Sequence, residues 1–144
     1  MAQDINDAVS YLQMLAGNIA GMRQAPENPP EQANFPFAVS FVSALLSSVQ
    51  PSAGSQINMY EITTEIHVAR KDLPRDYAGL KPFAVLFPAK VWGDYNVNHV
   101  ALAGYVSTIN SISGSLMPSQ WGGADTLAWV FKTQVKVNSQ WTTA

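Results

Sequence analysis

The sequence predicts a single-domain α+β fold, in which a mixed or antiparallel β-sheet packs against two main helices. Its 144 residues are about the size of one domain, and 47% of them are hydrophobic, which is enough for a core. Segments 57–70 and 126–137 alternate apolar and polar side chains, as half-buried strands do. The N-terminal segment instead has the period of an amphipathic helix. We therefore expect one domain over residues 1–144.

The helix is predicted from Asp4 to Met22. Asp4 is the expected N-cap, and Asp7 in the first turn favours the positive end of the helix dipole. Gly17 and Gly21 weaken the last turns. The apolar stripe that should face the sheet consists of Ile5, Val9, Leu12, Ala16 and Ile19.

Four prolines between Ala25 and Pro36 predict an irregular surface crossover. A short strand is expected over Phe37–Val42, residues 44–49 are ambiguous, and residues 51–56 form a turn or loop. The strand over 57–70 is long: fourteen residues would span roughly 46 Å. Either a bulge or turn breaks it, or it belongs to a hairpin arm that reaches beyond the body of the domain.

Residues 71–95 return as helix, with a short turn near 74–80 and a longer helix over much of 82–94. A further strand is expected over Val100–Ile112, and the strand over 126–137 completes the sheet. The predicted core comprises Ile5, Val9, Leu12, Ile19, Ile62, Ile66, Val68, Phe83, Leu86, Phe87, Trp129 and Phe131.

Charge is scarce in this chain. Charged residues make up 12%, against roughly 25% in ordinary domains. Residues 32–60 carry no charge, and neither do residues 95–124 if His99 is neutral. Two explanations remain open: a wet surface rich in Ser, Thr, Asn and Gln, or a surface covered by other protein subunits.

The sequence contains no pattern typical of a catalytic, metal-binding or cofactor-binding site. The chain has no cysteine, which excludes disulfides, thiolate metal sites and cysteine nucleophiles. Its net charge of -2 disfavours binding to the phosphates of nucleic acid through clustered Lys and Arg. Glu65 and His67 share a strand face but lack a third metal ligand. Glu61 and Glu65 lie about 13 Å apart along the strand, too far for a glycosidase pair. No nucleophile elbow or phosphate-binding glycine loop occurs, so we expect no enzyme, catalytic residue, cofactor or metal.

The two carboxylates instead match the spacing of Lys132 and Lys136 on the last strand. This predicts that strands 57–70 and 126–137 are adjacent and antiparallel, with Glu61 and Glu65 facing the two lysines.

The order of these features resembles a known family. A capped helix leads into Ala25-Pro26-Glu27-Asn28-Pro29-Pro30-Glu31 and Asn34-Phe35-Pro36-Phe37-Ala38-Val39. A long strand then ends in Glu65-Ile66-His67-Val68-Ala69-Arg70-Lys71-Asp72-Leu73-Pro74-Arg75, and Trp129-Val130-Phe131-Lys132 follows later. This is similar to the tail-terminator, or tail-completion, proteins of long-tailed bacteriophages. The resemblance covers most of the chain, and its most recognisable piece is His67–Arg75.

The resemblance implies a structural virion protein of the tail and neck, assembled in the host cytoplasm. Such proteins form homo-hexameric rings that cap the tail tube, contact the tail tube protein and present a surface to the head-side connector or stopper protein. Genomic DNA would pass through the ring without sequence-specific binding, and no membrane is involved. A head-completion or stopper protein, or a tail-tube subunit, is the alternative; an alternative of another class is a small α+β ligand-binding domain or enzyme.

The uncharged stretches should supply much of the subunit contact, because burying an unpaired charge is costly. The charged face with Glu61 and Glu65 is the first candidate for the lumen wall. Subunit-interface candidates are Ser48, Ser55, Glu61, Glu65, His67, Ser113, Lys132 and Lys136.

Overall fold

The computed structural model describes residues 3–23, 35–50, 55–69, 73–121 and 123–140. It has a four-stranded antiparallel sheet with three helices, which confirms the α+β fold. The helices are α1 (Ile5–Gly17), α2 (Leu73–Leu80) and α3 (Phe83–Asn98); the strands are β1 (Phe37–Gln50), β2 (Ser55–Ala69), β3 (Thr108–Trp121) and β4 (Ala124–Gln140). The expected crossover over 25–36 falls mostly outside the described residues.

Helix α1 begins where the sequence predicts. The Asp4 carboxylate accepts from the backbone N–H groups of Asn6 at 2.8 Å and Asp7 at 3.3 Å, which caps the first turn. The helix ends at Gly17 rather than at Met22, with Asn18 as C-cap. Glycine's low helix propensity accounts for this early end.

The strands lie in the order β1-β2-β4-β3, and each neighbouring pair is antiparallel. Two hairpins, β1–β2 and β3–β4, are thus joined through the central pair β2–β4. Residues 44–49, which the sequence left ambiguous, continue β1, and a bulge between Val42 and Ala44 adjusts its register. The predicted adjacency of 57–70 and 126–137 is confirmed.

The segment between the hairpins differs from its prediction in two places. The expected turn near 74–80 is helix α2, and α3 extends to Asn98 with Pro88 inside it. The strand expected over 100–112 starts only at Thr108, because residues 101–104 form a short 3-10 turn. Leu102 and Ala103 have φ of 45° and 57°, a left-handed backbone that no strand can continue.

All three helices pack on one side of the sheet, called here the helix face. It carries the even-numbered residues 60–68 of β2 and the odd-numbered residues 127–137 of β4. The Phe87 ring of α3 stacks on Phe131 with centroids 4.5 Å apart, and the Trp129 indole N–H donates to the Leu80 carbonyl at 3.1 Å. Every residue of the predicted core lies in this cluster or packs against it, which confirms that set.

Candidate functional site

The two charge-free stretches contain the two edge strands of the sheet. Residues 32–60 include all of β1, and residues 95–124 include all of β3; the sheet order places β1 at one edge and β3 at the other. The sequence predicted a short strand over Phe37–Val42 in the first stretch and a strand over Val100–Ile112 in the second. They are instead two strands of 14 residues each, and neither contains a charged side chain.

Edge β1 exposes apolar side chains on both of its faces. Residues 41–48 are all exposed, in contrast to the buried Phe37, Ala38 and Val39 at the start of the strand. Leu45 and Leu46 point to opposite faces of the sheet and are 58% and 66% exposed. The domain's own helices therefore cover neither face of this part of β1. The arm predicted from the sequence was the strand over 57–70, which in the structure is the central strand β2.

Edge β3 is polar but equally free of charge. Its Ser113 and Ser115 are exposed, and Met117 is 41% exposed on the same face. Natural edge strands are usually blunted by Lys, proline, bulges or a covering element. Here β3 has Pro118 and one bulge near Asn110, and β1 has one bulge, but charge protects neither strand.

The charged residues lie on the rear face, which is the side of the sheet opposite the helix face. It carries the odd-numbered residues 59–67 of β2 and the even-numbered residues 128–136 of β4. The predicted register of Glu61 and Glu65 against Lys136 and Lys132 is wrong by two residues: Glu61 pairs with Gln134, and Glu65 pairs with Val130. Both lysines are therefore diagonal to Glu61, about 7–8 Å away between Cα atoms.

Glu61 finds a nearer partner on β1. Ser43, at the bulge, has its hydroxyl 2.8 Å from a Glu61 carboxylate oxygen, and that hydroxyl accepts from Thr63 at 2.7 Å. The Glu61 carboxylate thus accepts from one neutral donor, the Ser43 hydroxyl, and it also helps to hold the bulge in place.

His67 was predicted as a subunit-interface candidate, and this prediction is wrong because its side chain is fully buried within the domain. Its Nδ1 lies 2.8 Å from the Thr126 hydroxyl and its Nε2 2.9 Å from the Glu65 carboxylate. The ring stacks on Phe37 with centroids 4.9 Å apart, and Trp121 packs against both rings. This network joins residues of all four strands at one end of the rear face.

The chain Thr126–His67–Glu65 has the hydrogen-bond order of a hydrolase triad. However, the Thr126 hydroxyl belongs to a fully buried residue and has no open space in front of it for a substrate carbonyl. The arrangement supports a structural role, in which both ring nitrogens of a buried histidine are satisfied.

Metal ligands do not converge in the described part of the chain. Glu65 and His67, the predicted metal-like pair, bind each other, and no group of three or more His, Asp or Glu side chains that could hold an ion is found among the described residues. In the same residues, no helix combines the length and apolar character that crossing a membrane requires.

The remaining interface candidates lie at separate places. Ser48 is exposed on β1, Ser113 is exposed on β3, and Ser55 begins β2, with its side chain outside the described part. Lys132 is exposed and Lys136 is half-buried on the rear face of β4. The structure therefore groups these residues into two edges and one face rather than into a single pocket.

Sequence reasoning missed a polar link between two helices. The Tyr11 hydroxyl of α1 donates to Asp94 of α3 at 2.7 Å, and Asn98 donates to the same carboxylate oxygen at 2.9 Å. The hydrogen bond to Asp94, burial and the carboxylate charge raise the pKa of Tyr11 to about 12. The residues border a shallow groove between α1 and α3 with Met14 and Val97 at its rim. No sequence signal links positions 83 residues apart.

No protein-family model matches the sequence, and no curated protein matches it significantly. A function is therefore argued from the two edge strands and the rear face.

Proposed function

We propose that this chain is a structural virion subunit that assembles into a hexameric ring, caps a phage tail tube and joins the tail to the head connector. The observation that supports it is the pair of charge-free edge strands on opposite sides of one sheet. A compact domain with two edge strands of this length that no charge protects is suited to assembly rather than to an isolated monomer.

The edges favour a ring over a dimer. A dimer formed through one edge would leave the other edge open, whereas head-to-tail contacts between unlike edges use both edges of every copy. The resemblance to tail-terminator proteins supplies the copy number of six and the partners, the tail tube protein and the connector or stopper protein. A stopper or a tube subunit would use the same edges, and stacking of rings into tubes distinguishes the latter.

The first test is the state of the purified protein. Mass photometry and negative-stain electron microscopy should show rings near six times 15.6 kDa. A monomer at every concentration, in the presence and absence of tail tubes, contradicts the proposal. Long tubes made of this protein alone would favour the tube-subunit alternative.

Asp substitutions on the two edge strands test whether these strands form the subunit contact. Ser48→Asp on β1 and Ser113→Asp on β3 place a carboxylate on exposed edge positions, where a subunit contact would have to desolvate it. Asn6→Asp adds the same charge to an exposed position of α1, outside both charge-free stretches, and is the matched control. We expect the first two variants to fold but assemble poorly, and the control to assemble as the wild type does. Normal rings and completed tails from all three variants would contradict the assignment of β1 and β3 as the subunit contact.

A further inference from the structure

We infer that the groove between α1 and α3, called here the helical groove, is a docking site for a segment of a different protein. That segment places an apolar side chain over Gly93 and a lysine or arginine side chain against Asp94. The helical groove has a volume of about 480 Å³, the size of pockets that hold a drug-sized ligand or a few side chains. The inference rests on the proposed function in one respect, that the partner is expected among the proteins next to the ring.

The two helices run antiparallel, which gives the helical groove two different ends. The N–H of Asp4, at the start of α1, donates to the carbonyl of Tyr105, beyond the end of α3, at 3.0 Å. Asn18, the C-cap of α1, and Lys90 therefore border one end, while Asp94 borders the other. Lys90 lies toward the negative end of the α1 dipole and forms no ion pair with Asp94. The charge of Asp94 is therefore left without a cation.

The Asp94 end of the helical groove is electronegative and lacks a donor. One carboxylate oxygen of Asp94 accepts from Tyr11 and Asn98, but the other, Oδ2, is buried and accepts no hydrogen bond from the described residues. The last turn of α3 lies at the same end and contains no basic residue to balance the negative end of its dipole. Buried carboxylate oxygens normally have a partner, and a lysine ammonium or arginine guanidinium from another protein would supply one.

Gly93 leaves open space in the middle of the helical groove. It lies in the interior of α3, where glycine lowers helix stability relative to alanine. A Cβ on Gly93 would meet nothing within 4 Å, so packing within the described part of the domain does not require glycine there. Gly79 of α2 has equal space around it, but it lies close to the end of its helix, where glycine is common. We attribute the space over Gly93 to a side chain of the partner.

Apolar side chains border this space on both helices. Met14 of α1 is 47% exposed, and Val97 of α3, one turn beyond Gly93, is 74% exposed. An aliphatic or aromatic side chain inserted between them would remove apolar surface of all three groups from water. The helical groove therefore combines an apolar middle with one anionic end, which fits a segment that carries an apolar and a basic residue close together.

The place of the helical groove in the fold separates this partner from the neighbouring copies. The groove belongs to the helix layer on one face of the sheet, whereas the proposed ring contacts use the edge strands β1 and β3. It therefore stays open when the ring forms. The occupant is assigned to a different virion protein, whose basic side chain complements the charge of Asp94.

A peptide array tests the inference with defined probes. Short glycine- and serine-based peptides carry leucine or phenylalanine together with arginine or lysine, at every spacing up to one helical turn. Matched peptides replace the basic residue with glutamine or the apolar residue with alanine. The fluorescently labelled full chain is applied to the array, and the Kd of each positive peptide is then measured in solution by fluorescence anisotropy.

Two variants alter the helical groove, and two controls make the same substitutions elsewhere. Gly93→Gln fills the open space with a residue that favours helix more than glycine does. Asp94→Asn removes the charge but keeps an oxygen that can accept from Tyr11. Gly79→Gln and Asp125→Asn are the matched controls, at exposed positions that do not border the groove.

We expect peptides with both residues to bind the wild type, each groove variant to weaken that binding at least about ten-fold, and the controls to bind as the wild type does. All four variants should form rings of wild-type mass. An array without binding to the wild type, or equal binding by all variants, would overturn the inference. Rings lost in Gly93→Gln but kept in Gly79→Gln would show a contact between copies and overturn it too. A wild-type chain that binds the peptides but never forms rings is the distinct failure of the proposed function.

Discussion

Gly114 of β3 lies directly beneath the aromatic ring of Phe131 on β4, so that a Cβ on Gly114 would lie 2.8 Å from Phe131 Cδ1. The ring has no room to retreat, because it stacks on Phe87 at 4.5 Å and on Trp129 at 5.7 Å. The close approach of a strand backbone to a core ring therefore requires glycine at this position.

The variant Gly114→Ala should lower the free energy of unfolding by about 1–3 kcal/mol, as other overpacked cores do. Gly93→Ala is the matched control, since its Cβ would meet nothing within 4 Å and its helix gains propensity. Urea unfolding should show opposite signs for the two variants. Equal stability of Gly114→Ala and wild type would contradict the contact.

Phe131→Ala tests the centre of the helix face. The side chain is 3% exposed and contacts rings from α3 and β4, so its truncation leaves a cavity that the rigid sheet cannot close. We expect a loss of about 3–5 kcal/mol, comparable with the whole stability of a small domain. A melting temperature equal to that of the wild type would show that Phe131 is not buried as described.

His67→Leu tests the network on the rear face. Leucine fills much of the volume but leaves the Thr126 hydroxyl and the Glu65 carboxylate without their partner, which should cost about 1–3 kcal/mol. Glu65→Gln retains a group that can hydrogen-bond to Nε2 and should cost less. Chemical denaturation of both variants gives the comparison, and an equal loss in both would show that the charge of Glu65, rather than its hydrogen bond, matters.

Tyr11→Phe tests the link between α1 and α3 through its pH dependence. The folded-state pKa of Tyr11, about 12, lies above the ordinary value of 10.0, so the stabilisation is fully present below pH 10 and disappears as the pH rises through 12. Wild type should exceed Tyr11→Phe in stability at pH 8, and the difference should shrink between pH 10 and 12. A difference that is constant over this range would mean that the phenol does not donate to Asp94.

The alternation of apolar and polar residues explains why the sequence predicts the two central strands of the sheet. Strands β2 and β4 each place apolar residues on one face and polar residues on the other, so their existence follows from the pattern. Their adjacency was predicted from matched charge spacing, and the structure confirms the adjacency without the predicted charge pairs. Their register does not follow from the pattern, because a shift of two residues leaves every side chain on its correct face. Lys132 and Lys136 fit the sequence pattern equally well in either register.

The edges were harder to predict for a different reason. Most of β1 exposes apolar residues on both faces, and β3 is rich in serine, so neither alternates clearly. The lack of charge marked both stretches as unusual, but only the sheet order shows that they are edges. The burial of His67 depends on Thr126 and Trp121, which lie more than fifty residues away in sequence.

The sheet order also bears on how the chain folds. The β1–β2 hairpin is complete at residue 69, yet its neighbour β4 begins at residue 124, so more than a third of the chain is synthesised before the second side of β2 can be covered. Until then the hairpin presents two open sides, and its charge-free stretch resembles the segments that aggregate when transiently exposed. Slow synthesis at low temperature, or a holding chaperone that binds the nascent hairpin, should therefore raise the yield of native protein more than stabilising the helices would.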